Sequence, residues 1–248
     1  MTRYRHASRR VVARAPAQGE HALNDLIPVT AAAIAFVGSH FALSHPLRAP
    51  IVRAIGEAGF AIFYSVVAAA TLTLLVLAYR AAPVNEPLWP VGDGLWAVAT
   101  VVMLLAAILL LGSLIRNPAF PGGGRVETAR GVFAITRHPM MWSIALWGGC
   151  HIAVFPYAKN VVVCLAMIVL ALVGSALQDF KKARARPDFW PAWENKTSYL
   201  PFAAVLTGRA RLGGFGLHTL AGGLVVWLAA TWAHIPLTGW PAGIWRWL

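Results

Sequence analysis

Six uninterrupted apolar runs dominate the sequence, each close to the ~20 residues that an α-helix needs to cross the hydrocarbon core of a bilayer. They cover 26–43, 58–79, 95–115, 139–157, 161–178 and 215–234. A spanning helix pairs its backbone N–H and C=O groups internally, which lets one segment of chain sit in lipid without unpaired polar groups. The runs therefore predict an all-α, polytopic transmembrane helix bundle of about six spanning helices. Pro and Gly cluster between the runs, at Pro46 and Pro50, then over 83–90, 118–124 and 187–201, where chain reversals are needed. On this basis the chain divides into a basic N-terminal tail (1–25), a six-helix membrane domain (26–235) and a Trp-rich C-terminus (236–248). Trp240, Trp245 and Trp247 in that last segment predict an interfacial anchor.

Charge agrees with a membrane setting. Hydrophobic residues make up 58% of the chain and charged residues 12%, against roughly 45–50% and 25% in a soluble domain. The net charge of +12 would suggest nucleic acid in a soluble protein. Here the Lys and Arg sit in tails and loops beside apolar runs, so membrane lipids are their expected partner and nucleic acid is not. Thirteen of the 21 Lys and Arg fall in the first, third and fifth loops, which the positive-inside rule places in the cytoplasm. A bacterial inner membrane is the expected location. Cys150 and Cys164 lie inside apolar runs without a CxxC pattern, so neither a disulfide framework nor a zinc site is indicated.

An ionisable residue inside a membrane is costly enough to count as a functional candidate. His40 lies late in the first run, in Gly38-Ser39-His40, and His151 lies well along the fourth, in Trp147-Gly148-Gly149-Cys150-His151. Neutral imidazole is a good ligand for haem iron, and a b-type haem needs no CxxCH attachment motif. Gly148 and Gly149 remove side chains where a macrocycle would approach the helix, though close helix packing asks for the same residues. A second constellation is Thr136-Arg137-His138-Pro139, with proline at a first helical position. Such a helix start offers free N–H groups, a positive dipole end and an arginine to an anion. Arg125, Glu127 and Arg130 extend that polar shell upstream, and Asp179 and Glu57, near the same membrane face, are placed to orient Arg137 or His138.

Several of these strings together resemble the NnrU family, which includes the 15-cis-zeta-carotene isomerase of plants and cyanobacteria. The resemblance runs from Gly38 to Arg211. It rests on GSH at Gly38–His40, Gly56-Glu57, ITRHPMM at Ile135–Met141, Trp147 with His151 four residues later, Asp179, and TSYLPFAA at Thr197–Ala204. It implies a membrane protein with haem b whose axial ligands, and catalytic iron site, are His40 and His151. The activity implied is redox-gated cis–trans isomerisation of zeta-carotene or a related polyene, supplied by an electron donor that odd-loop topology would place in the cytoplasm. A role in nitric oxide metabolism and denitrification is implied for the NnrU branch. Depth favours a different pairing: at 1.5 Å per residue His151 lies ~18 Å from the third-loop surface and His40 only ~5 Å. His138 therefore stands as the alternative ligand. The RHP string also resembles membrane methyltransferases of the isoprenylcysteine carboxyl type, which bind S-adenosylmethionine; Glu194 and Tyr199 fit that pattern, but their acidic doublet is missing.

Overall fold

A computed structural model describes residues 18–120, 124, 126 and 128–248. The tail arginines, Arg125 and Glu127 lie outside the described residues. The chain forms α1 (Gln18–Ser44), α2 (Arg48–Ala81), α3 (Asp93–Ser113), a single turn α4 (Val132–Ile135), α5 (Pro139–Val154) and α6 (Ala158–Ala185). Then follow α7 (Trp190–Lys196), α8 (Ala203–Leu206), α9 (Leu217–Thr238) and a closing 3-10 turn (Gly243–Arg246), with no strand among the described residues. Among the described residues, five helices are long and apolar enough to cross a membrane: Asn24–Ser44 within α1, and α2, α3, α6 and α9. They mark an integral membrane protein.

The expected fourth span is shorter than its apolar run. Pro156 disfavours helical geometry at the residue before it, and Phe155 indeed leaves the helix at φ −136 and ψ 68. α5 is therefore 16 residues long, a rise of roughly 24 Å against the ~30 Å of a hydrocarbon core. It lies between α3 and α6. α2 differs too: Gly56, at φ 74 and ψ 172, breaks the helix in a conformation that glycine alone adopts without strain. Residues 48–55 form a separate helical piece ahead of the span proper.

Packing has the character of a lipid-solvated bundle. Going across it, α2 packs on α1, α1 on α6, α6 on α5, α5 on α3, and α3 on α9. On α3, α5 and α9 many buried positions are small, with Ala99, Ala106, Ala107 and Gly112 on α3, Gly148 on α5 and Gly223 on α9, while Val29, Phe36 and Leu75 are buried on the α1–α2 side. Branched aliphatic side chains point outward; Ile34, Ile62, Val101 and Val225 are between 63% and 68% exposed. Lipid gives no hydrophobic drive to gather large apolar groups at the centre, so close backbone approach takes that role. At the end bearing loops one, three and five, a denser core forms around Phe133, Phe189, Trp190 and Trp193, packed on Leu109 and Ile135. At the opposite end the C-terminus does more than rest in the headgroups. Trp245 Nε1 donates to the Leu228 carbonyl at 3.2 Å and to Thr231 Oγ1 at 3.1 Å, folding the segment back on α9, while Trp240 and Trp247 stay exposed.

Glycine at 223 is what lets α9 reach α3. A β-carbon there would stand 2.9 Å from Ile108 Cα, whereas one at Gly222 would meet only the Leu111 side chain at 3.7 Å. Gly223→Ala is expected to cost ~1–3 kcal/mol and to lower the unfolding midpoint measured in detergent. Gly222→Ala is expected to leave it unchanged.

Candidate functional site

The start of α5 is locked to α6 by charge. Pro139 opens the helix and His138 stands just before it. His138 Nε2 donates to Asp179 Oδ1 at 2.7 Å, and Arg137 Nε donates to Asp179 Oδ2, also at 2.7 Å. Glu194 adds a longer ion pair to Arg137 at 3.5 Å. Backbone bonds tie the same stretch to the segment after α7: Arg137 N–H donates to the Ser198 carbonyl at 2.9 Å and Phe202 N–H to the Ile135 carbonyl at 2.7 Å. Thr136 Oγ1 and Trp142 Nε1 both donate to the Tyr199 carbonyl, at 2.7 and 2.9 Å. The strings ITRHPMM and TSYLPFAA, far apart in sequence, are thus one bonded unit.

This unit leaves no opening for a ligand at His138. The ring is wedged between Trp190 and Tyr199, at centroid distances of 6.5 and 5.8 Å, and its side chain is 1% exposed. Its Nε2 is committed to Asp179. The anion that a helix start and an arginine attract is here the Asp179 carboxylate itself. Neither Arg137 nor His138 lines the cavity around His151 or the surface cavity beside Arg130, and both side chains of the RHP string are bonded to Asp179. Glu57 and Arg130 do not join the unit. Glu57 pairs with Arg48 at 2.7 Å and is 66% exposed; Arg130 lines a shallow surface cavity of about 590 Å³ with Arg209 and Arg211.

His151 stands at the other end of α5. There a cavity of about 910 Å³ opens between α2, α3, α5, α6 and α9, bounded by residues 87–91, 155–157 and the C-terminal segment. Its volume lies within the roughly 300–1,000 Å³ of small-molecule and cofactor sites. Trp96, Trp147 and Trp227 supply flat apolar walls. His151 Nδ1 must donate to the Trp147 carbonyl, 2.8 Å away, because a carbonyl can only accept, and this leaves Nε2 as the ring nitrogen without that bond. Such a backbone bond to the distal ring nitrogen is typical of metal-binding histidines. At the mouth, Arg246 lies over Trp96 at 4.9 Å and pairs with Asp93 at 3.0 Å. An imidazole with a fixed tautomer, an apolar slot and a basic group at its mouth suit a haem, whose propionates carry the only charge on its rim. The residues fit that group.

The structure does not bring His40 to this site. His40 Nδ1 donates to the Phe36 carbonyl at 2.7 Å, and the ring packs on Phe36 and Tyr64 at 4.4 and 5.5 Å. It does not line the cavity, and α6 stands between α1 and α5. The glycines also serve another purpose. A β-carbon at Gly148 would lie 2.8 Å from Ile168 Cγ1 and 3.2 Å from the Cys164 carbonyl, so Gly148 seats α5 on α6. Gly149 meets nothing within 4 Å, and neither glycine lines the cavity.

One histidine escaped the sequence reading. His234 of α9 lines the same cavity, its ring centroid 6.1 Å from that of His151. It closes the sixth apolar run and meets the same criterion of an ionisable group in a membrane segment, so the signal was present. The cavity also sits toward loops two and four and the C-terminus, not toward Arg137 and Asp179, where a cytoplasmic donor was expected to reach the outer edge of the site.

The family model described as NnrU protein matches residues 28–242. The chain belongs to the NnrU family. The NnrU match starts inside α1 and ends beside the closing 3-10 turn, so it takes in the locked start of α5 and the cavity's lining apart from Gly243 and Arg246. No curated protein matches the chain, and no solved structure does.

Asp179→Ala would leave Arg137 and His138 without their buried acceptor, and is expected to destabilise the protein by ~3–5 kcal/mol. Glu57→Ala, at an exposed pair, is expected to change stability by less than about 0.5 kcal/mol. Thermal unfolding in detergent distinguishes the two.

Proposed function

We propose that this NnrU-family chain is a haem b protein of a bacterial inner membrane, and that it acts on a lipid-soluble polyene as a redox-gated cis–trans isomerase of the zeta-carotene type. The observation that carries the reading is the cavity of about 910 Å³ with His151 in its wall, its Nε2 left for iron by the bond from Nδ1 to the Trp147 carbonyl. Ferrous haem bound there would supply electron density to a cis double bond and lower its barrier to rotation.

The chain's own residues would do the rest. His151 binds, and the Trp147 carbonyl keeps its tautomer and ring orientation. Trp96, Trp147 and Trp227 exclude water and offer flat faces to a conjugated molecule. Arg246, on the mouth of the cavity, is placed to pair with a carboxylate at the aqueous edge. The cavity lies among spanning helices, so a lipid-soluble substrate matches its surroundings; an electron donor is a further partner the reading requires.

The purified, haem-supplied protein is expected to show a Soret band and sharp visible bands on reduction, and His151→Ala is expected to lose them. In cells accumulating 15-cis zeta-carotene, the wild-type chain is expected to deplete that isomer and His151→Ala to leave it. A protein that stays colourless contradicts the haem reading. A loaded, reduced haem with an unchanged isomer profile contradicts the isomerase and favours a role in nitric oxide metabolism.

A further inference from the structure

Resting on the haem reading above, we infer that His234 is the second axial ligand, so that the iron is held between α5 and α9 by His151 and His234, with His40 outside the metal site. Two features of the pair carry this. The two rings line one cavity and their centroids are 6.1 Å apart, with planes inclined by 33°. An iron held by two imidazoles at roughly 2 Å from each nitrogen separates the ring centres by about 6 Å.

The second feature is tautomer. His151 Nδ1 donates to the Trp147 carbonyl and His234 Nδ1 donates to the Ala230 carbonyl, each at 2.8 Å and each four residues back along its own helix. Both rings are therefore held with Nε2 as the nitrogen carrying the free lone pair, the arrangement that ligating histidines show when their other nitrogen is anchored. His40 meets the tautomer condition alone: it lies on the far side of α6 and shares no cavity with His151.

The experiment uses full-length protein purified in detergent with haem supplied, comparing wild type with His40→Ala, His151→Ala and His234→Ala by absorption and low-temperature electron paramagnetic resonance of the ferric form. Wild type is expected to be low-spin and six-coordinate. His234→Ala is expected to retain haem as a high-spin, five-coordinate form, and added imidazole is expected to restore the low-spin signal. His40→Ala is expected to match wild type. Where His234→Ala does not fold, His234→Met serves instead, with a low-spin spectrum shifted by sulfur ligation as the expected result. A His234 variant with the unaltered wild-type spectrum, or loss of the low-spin signal on His40→Ala, overturns the assignment while leaving haem binding intact. A wild-type chain that takes up no haem overturns the haem reading and this assignment together.

Discussion

Everything in this molecule hangs on how α5 is fastened to α6. Three contacts along the pair do different physical work. At the α5 start, Arg137 and His138 share the two oxygens of Asp179, charge-assisted bonds in a place where the alternative is an unpaired buried charge. In the middle, Gly148 removes the side chain that would strike Ile168. At the α5 end, Asn160 Nδ2 donates to the His151 and Phe155 carbonyls at 3.0 and 2.7 Å, capping a helix that Pro156 has cut short. A helix fixed at both ends and in the middle can neither slide nor rotate, so the depth and bearing of His151 are set by Asp179 and Gly148, away from the cavity, and by Asn160 in its wall.

The fastening also divides the protein into two functional ends. On one side of the membrane, aromatic and polar groups pack into a closed assembly around Trp190, Trp193 and Tyr199. On the other, helices meet through small residues and leave a space that the 87–91 loop and the refolded C-terminus border. Lys159, buried at the foot of α6, donates to the Ala82 carbonyl at 2.6 Å and so caps α2 where it borders that space. A short α5 is part of the same economy of design: ending it at Val154 sets the 155–157 turn at the cavity's edge rather than beyond it.

Much of the fold was legible from run length and composition, because a bilayer allows so few backbone solutions. The apolar runs located the spanning helices, and Pro156, visible in the sequence, holds the reason why one of them is shorter. The polar latch was legible in part. Asp179, Arg137 and His138 were grouped by their common membrane face, but their spacing could not reveal that the carboxylate consumes the donors an outside anion would need. Glycine was ambiguous for a similar reason: a missing side chain makes room for a cofactor or for a neighbouring helix, and only the position of Ile168 decides between them. His40 and His234 illustrate the deepest limit. Both are histidines near the end of an apolar run, and helix adjacency, which no single sequence expresses, puts one beside His151 and the other behind α6.

Family membership says that the chain is NnrU-like, and the chemistry turns on whether iron sits at the cavity between α5 and α9. The most direct measurement is an experimental density map of the haem-loaded protein in lipid or detergent. The expected result is planar density inside that cavity, with iron at bonding distance from His151 Nε2 and the propionates toward Arg246. Density beside His40, or a coloured protein whose cavity holds lipid alone, would contradict it.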